Sequence, residues 1–86
     1  MTTQQQLSVQ IACVLRHRAI LLAERGSVGP DERATDPLRC ERYQVIVDGH
    51  ARPCSGSINA ASYFISMVGA KQAEAALAKY QEEQPI

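Results

Sequence analysis

The sequence predicts an α+β fold, with an N-terminal helix, a mobile loop, a β-hairpin and a long or divided C-terminal helix. Three observations predict this class. Apolar residues recur at helical spacing near the start of the chain, a β-branched stretch is followed by Asp-Gly, and a serine-led segment near the end has helical periodicity. With 86 residues, the chain is expected to form a single small domain over 1–86, near the size at which one core is only marginally stabilising.

The first predicted element is a helix over about residues 4–25. The run TQQQ at residues 3–6 has the form of a capping box, in which the Thr and Gln side chains hydrogen-bond to free amides at a helix start. Gly26 stands where a helix often ends. The apolar positions behind the cap are spaced by three, four and seven residues: Leu7, Ile11, Val14, Leu15, Leu21 and Leu22.

The same segment also supports a second interpretation. Residues 7–15 alternate as a strand would, and AILLAE at residues 19–24 could be the return strand. This pattern predicts a four-stranded antiparallel sheet with a C-terminal helix. We favour the N-terminal helix, because Ala, Leu, Glu and Arg prefer helices and RHR at residues 16–18 is a poor tight turn.

A flexible loop and then a hairpin are predicted in the middle of the chain. Residues 26–37, GSVGPDERATDP, are rich in Gly, Pro and charged side chains and offer little to bury. In RYQVIVDG, Tyr43, Val45 and Val47 share one face, and Asp48-Gly49 is a strong hairpin-turn signal. Pro53 has no amide to donate and therefore belongs at the edge or end of the return strand.

The C-terminal segment carries two apolar stripes at helical spacing. The first stripe consists of Ile58, Ala61, Phe64, Ile65 and Val68, and the second of Ala70, Ala73, Leu77 and Tyr80. Either one long helix contacts two surfaces, or Gly69 divides two helices. We expect the second stripe to remain uncovered within one chain. The alternative is a bend at Gly69 that folds residues 70–83 back onto the same core.

Five residues are candidates for binding a partner. Ala73, Leu77 and Tyr80 lie on the second stripe, and Tyr is a frequent interface anchor. Arg42 and Arg52 flank the predicted turn, where facing strands would present two guanidinium groups to a carboxylate or phosphate. The predicted partners are a larger protein or protein complex and a second copy in a homodimer.

Charge and hydropathy restrict the class of function. Nine basic residues balance nine acidic ones, so nucleic acid is possible as a partner but unsupported by the net charge. The start of the chain lacks the charged and apolar regions of a secretion signal, and no apolar run approaches the roughly 18 residues that span a bilayer. We therefore expect a cytoplasmic protein, without a membrane partner, whose cysteines are free thiols.

The cysteines and histidines raise the question of a metal site. Cys13 with His17 and His50 with Cys54 are two pairs spaced by four residues, and Cys40 is a spare thiol. In an extended strand, residues four apart lie about 13 Å from each other, too far to share one zinc ion. We expect no metal, cofactor or catalytic residue. A zinc-stabilised interaction module remains an alternative.

These observations predict a small non-enzymatic regulatory or inhibitory protein that acts by protein–protein contact. In its short length and its lack of a catalytic set of residues, the chain resembles the accessory and inhibitor proteins of phages and plasmids, including anti-CRISPR proteins and antagonists of host machinery. That resemblance implies a phage- or plasmid-encoded protein. A nucleic-acid-associated regulator that uses the hairpin and helix arginines is the alternative.

Overall fold

A computed structural model describes residues 3–33 and 41–83, except for the side chains of residues 82 and 83. The described chain has three helices and a four-stranded antiparallel sheet in the order β1-β2-β3-β4, which confirms the α+β class. It has the favoured N-terminal helix together with four antiparallel strands, the number that the alternative interpretation predicted, but residues 7–15, a strand in that interpretation, are helical. The elements are α1 (Gln4–Arg16), β1 (Leu21–Ala23), β2 (Gly26–Pro30), β3 (Arg42–Val47), β4 (His50–Ser55), α2 (Ser57–Val68) and α3 (Ala70–Glu83).

Helix α1 begins as predicted but ends earlier. Thr3 and Gln6 form the capping box, each side chain accepting from the other residue's backbone amide. The helix ends at Arg16, because Arg18 has a left-handed φ of 68° and turns the chain. The amides of Arg18 and Ala19 then donate to carbonyls of the last helical turn, at 2.8 and 3.3 Å, in the Schellman arrangement. The prediction of a helix to residue 25 was therefore wrong.

Strands β1 and β2 replace the end of the predicted helix and the start of the predicted loop. Leu21 pairs with Val28, and both side chains are fully buried. Gly26 is a strand residue and not a helix cap: a Cβ there would lie 3.1 Å from the Ile46 carbonyl oxygen and 3.2 Å from the Phe64 ring. Residues 26–30 thus correct the loop prediction, and residues 34–37 lie outside the described residues.

The hairpin of β3 and β4 has the predicted turn. Asp48 and Gly49 have φ values of 51° and 81°, as a two-residue hairpin turn with positive φ at both positions requires. Tyr43, Val45 and Val47 are buried on one face, as the alternation predicts. Pro53 lies in β4, an edge strand, where the missing amide does least harm.

Gly69 divides the C-terminal segment into two helices. Its φ of 89° with ψ of 150° is a backbone conformation essentially restricted to glycine. The bend returns α3 to the core, where Ala73 and Leu77 join the same buried cluster as Phe64 of α2. The expectation of an uncovered second stripe was therefore wrong. In the first stripe, Ile58 is exposed.

The helices cover one face of the sheet. Alternate strand residues, from Leu21 in β1 to Val45 in β3, point into the core cluster with residues of all three helices. The opposite face carries no helix within the described part of the chain, and we call it the open face. No described helix is long and apolar enough to cross a membrane.

Candidate functional site

Exposed apolar side chains gather on the open face, next to strand β1. Ile20, Leu22 and Ile46 are 53%, 62% and 38% exposed, and we call them the β1 patch. They are three of six large apolar side chains exposed in the described residues: Val9, Ile20, Leu22, Ile46, Ile58 and Met67.

The sheet register explains why the patch residues meet. Leu22 pairs with Ser27, which pairs in turn with Ile46, so these side chains stand in one row across the sheet. Ile20 lies over the next row, because a Cβ at Gly29 would be 3.1 Å from its Cγ1 atom. The rows extend through neutral residues to the far edge: Leu22, Ser27, Ile46 and Ala51 in one, and Gly29, Gln44 and Pro53 in the other.

A cleft continues the patch around the edge of β1 towards α3. Its volume is about 390 Å³, and its lining includes Leu22, Glu24, Gln72 and Lys79. The Nε2 atom of Gln72 is buried there without a hydrogen-bond partner in the structure as described. A buried donor without a partner destabilises a protein by about 1–3 kcal/mol. Gln72, a lining residue of this cleft, therefore has a buried amide donor for which the described residues supply no acceptor.

Hydrogen bonds between β2 and β3 establish which way each backbone group points. The Asp48 amide donates to the Arg25 carbonyl at 3.1 Å, on the turn side of the Gly26–Val47 pair. In an antiparallel ladder such flanking bonds mark a non-bonded pair, and bonded pairs alternate with it. Ser27 is the next residue along β2, so its amide and carbonyl bond to Ile46.

The same alternation leaves the backbone of Leu22 without a partner in the sheet. Ser27 directs both its polar groups to β3, so its neighbours Gly26 and Val28 are the residues that bond to β1. Leu22 lies opposite Ser27 and directs its N–H and C=O out of the sheet edge. Outside the ladder, no backbone hydrogen bond of the described residues involves Leu22.

The structure separates the predicted partner-binding residues of α3. Ala73 and Leu77 are 0% and 5% exposed in the core and have almost no surface to offer a partner. Tyr80 is half-buried and lines a cavity of about 100 Å³ beside Ile20 and Leu22. Of the three, only Tyr80 adjoins the β1 patch.

The two hairpin arginines are not brought together. Arg42 pairs with Ser55, whereas Arg52 pairs with Val45, a core-facing residue. Arg42 therefore lies on the open face and Arg52 on the helix side. The guanidinium carbon of Arg52 is 4.7 Å from the centre of the Tyr63 ring, a cation–π contact.

Arg42 instead shares a cleft with Arg16 at the start of α2. This cleft, of about 700 Å³, is also lined by Glu41, Ser55 and Ser57. The Nε atom of Arg16 donates to the Ser57 hydroxyl at 3.3 Å, and no side chain of the described residues caps helix α2. Two guanidinium groups near a helix start are able to bind a carboxylate or phosphate oxygen.

The two cysteine–histidine pairs lie on separate elements, Cys13 and His17 on α1 and its C-cap and His50 and Cys54 on β4. Cys13 is exposed on α1, and Cys54 is half-buried on β4. Burial raises the pKa of the Cys54 thiol, and the positive charge of Arg52 offsets only part of this effect. The raised pKa keeps the thiol protonated near neutral pH. In residues 3–33 and 41–83 no three His, Cys, Asp or Glu side chains gather as a metal site would require. Cys40 lies outside the described residues.

No protein-family model, curated protein or solved structure matches this chain. Sequence reasoning missed the β1 patch because it placed Leu22 on a helical stripe. The alternation in AILLAE, which puts Ile20 and Leu22 on one face of a strand, was the available signal.

Proposed function

We propose that this chain is a small non-enzymatic regulatory or inhibitory protein that acts by protein–protein contact, with the β1 patch at the centre of the contact. One observation carries the proposal: Ile20, Leu22 and Ile46 are exposed together on a sheet face whose central rows hold no charge. Grouped exposed apolar side chains mark interaction sites, whereas scattered ones do not.

The chemistry of the surface suits a protein partner. Full burial of an exposed Leu or Ile side chain contributes about 1.5–3 kcal/mol, and the patch side chains, at 38–62% exposed, each have roughly half of that left to contribute. Together they can supply the apolar centre of an interface. Glu24 and Lys79 in the adjoining cleft supply a polar rim, and Tyr80 adds an aromatic residue beside it. The Arg16–Arg42 cleft is a weaker basis for function, because the formal net charge of zero provides no broad field to attract an anion.

The other exposed apolar residues are less favourable. Val9 and Ile58 line a groove between α1 and α2 with a volume of about 500 Å³. The rest of that groove is polar, with Gln4, Gln5 and Ser62 in its walls. We therefore place the contact at β1 and use the α1–α2 groove as an internal control.

Site-specific photocrosslinking in the native host tests this proposal. A photoactivatable phenylalanine analogue replaces Leu22 or Ile46, and the control replaces Ile58, which is similarly exposed at 43%. We expect crosslinked protein products from positions 22 and 46 and none from position 58. Products from position 58 alone would contradict the assignment of the surface, and products from none of the three would contradict function by protein contact.

A further inference from the structure

We infer that the β1 patch binds a second copy of this chain, with β1 of one copy paired antiparallel to β1 of the other about a two-fold axis at Leu22. This inference rests on the proposed function, because it names the partner of the same surface. The product is one continuous sheet of eight strands, twice the four of each copy.

The backbone of Leu22 is complementary to a second copy of itself in its hydrogen bonding. Leu22 directs one donor and one acceptor out of the edge, and an antiparallel strand with its own outward Leu22 offers the matching acceptor and donor. Two Leu22 residues therefore exchange two hydrogen bonds as one bonded pair. A two-fold contact is self-complementary and doubles every other interaction. A strand from a different protein that paired with the three-residue β1 would form the same two hydrogen bonds, but symmetry would not repeat its other contacts.

The packing of side chains across the two-fold axis also favours a second copy. Opposite residues of an antiparallel pair share a face, so both Leu22 side chains would lie side by side on the open face. With Ile46 of each copy they extend one apolar row across the dimer. Each copy brings Glu24 and Lys79, of opposite sign, to the rim of its cleft, so the pairing does not concentrate one charge.

The opposite edge of the sheet, strand β4, is protected against pairing with another strand. In β4, Pro53 lies opposite Gln44, in a pair that the alternation makes non-bonded. Pro53 therefore faces outward and has no N–H to offer, which interrupts the edge. Strand β1 has no proline, and its outward-facing residue is a leucine that is 62% exposed.

The solution mass of the purified chain tests the inference. Light scattering should give the wild type twice its 9.4 kDa chain mass, falling to 9.4 kDa in Leu22→Pro. Proline at this position removes an outward N–H and leaves the bonds to β2 intact. Leu22→Lys places two ammonium groups together at the axis and should also give a monomer. The control Ile58→Lys makes the same kind of change on α2 and should remain dimeric.

Circular dichroism and thermal melting establish that each variant is folded, and Leu22→Lys decides the outcome if Leu22→Pro does not fold. A wild type of 9.4 kDa at every concentration overturns the inference. A dimer that persists in folded Leu22→Lys also overturns it, because the two copies then meet elsewhere. A monomeric wild type whose position 22 crosslinks to a larger host protein overturns this inference while supporting the proposed function.

Discussion

Arg18 holds a backbone conformation that usually belongs to glycine. Its φ of 68° ends helix α1, and a side chain in this left-handed region is disfavoured by about 1–2 kcal/mol. We therefore expect Arg18→Gly to raise the free energy of unfolding by up to about 1 kcal/mol, since glycine also gains freedom in the unfolded chain. Urea denaturation measures the change.

Arg25→Gly is the matched control for this prediction. Arg25 lies in the turn between β1 and β2 and is not among the residues with positive φ. Glycine there relieves no strain and adds freedom to the unfolded chain, so stability should fall or stay level. A loss of stability in Arg18→Gly equal to that in Arg25→Gly would show that Arg18 is not strained.

The hairpin of β3 and β4 depends on the positive φ of Gly49. Within residues 3–33 and 41–83, no atom apart from those of its chain neighbours lies within 4 Å of the position that a Cβ on Gly49 would take, so a β-carbon there meets no steric obstacle. The penalty of Gly49→Val is then conformational, and we expect a loss of about 1 kcal/mol or more in the free energy of unfolding. Gly49→Asn, which tolerates positive φ, should lose clearly less. Equal losses in urea denaturation would contradict this explanation.

Local signals explain which elements the sequence predicts and which it does not. The Asp48-Gly49 turn and the alternation around Val45 act within a few residues, so the second hairpin is predictable. The first hairpin is hidden, because Leu21 and Leu22 fit both helical and strand periods. In addition, Arg18 ends the helix without the expected glycine.

The candidate site is less predictable, because it depends on contacts between distant residues. The sequence pattern predicts that Leu77 is exposed and free to bind a partner, but the bend at Gly69 buries it against the core. The β1 patch exists only in the register that aligns Leu22 with Ser27 and Ile46. Neither the bend direction nor the register has a short-range signal.

The whole molecule is asymmetric across its sheet. Three helices cover one face, while the open face keeps its apolar residues at the edge where the backbone of Leu22 has no partner among the described residues. An 86-residue chain is near the size at which a second copy often supplies further burial. Pairing at β1 would satisfy both the side chains and the backbone of this edge.

Amide hydrogen exchange at Leu22, followed by NMR across a dilution series, tests the central claim most directly. Leu21 and Ala23 bond to β2 and should be protected at all concentrations at which the chain is folded. The Leu22 amide should exchange rapidly in dilute solution and become protected as the concentration rises and β1 pairs with its copy. Rapid exchange of the Leu22 amide at every concentration, beside protected neighbours, would contradict the claim that this edge is an interface between copies.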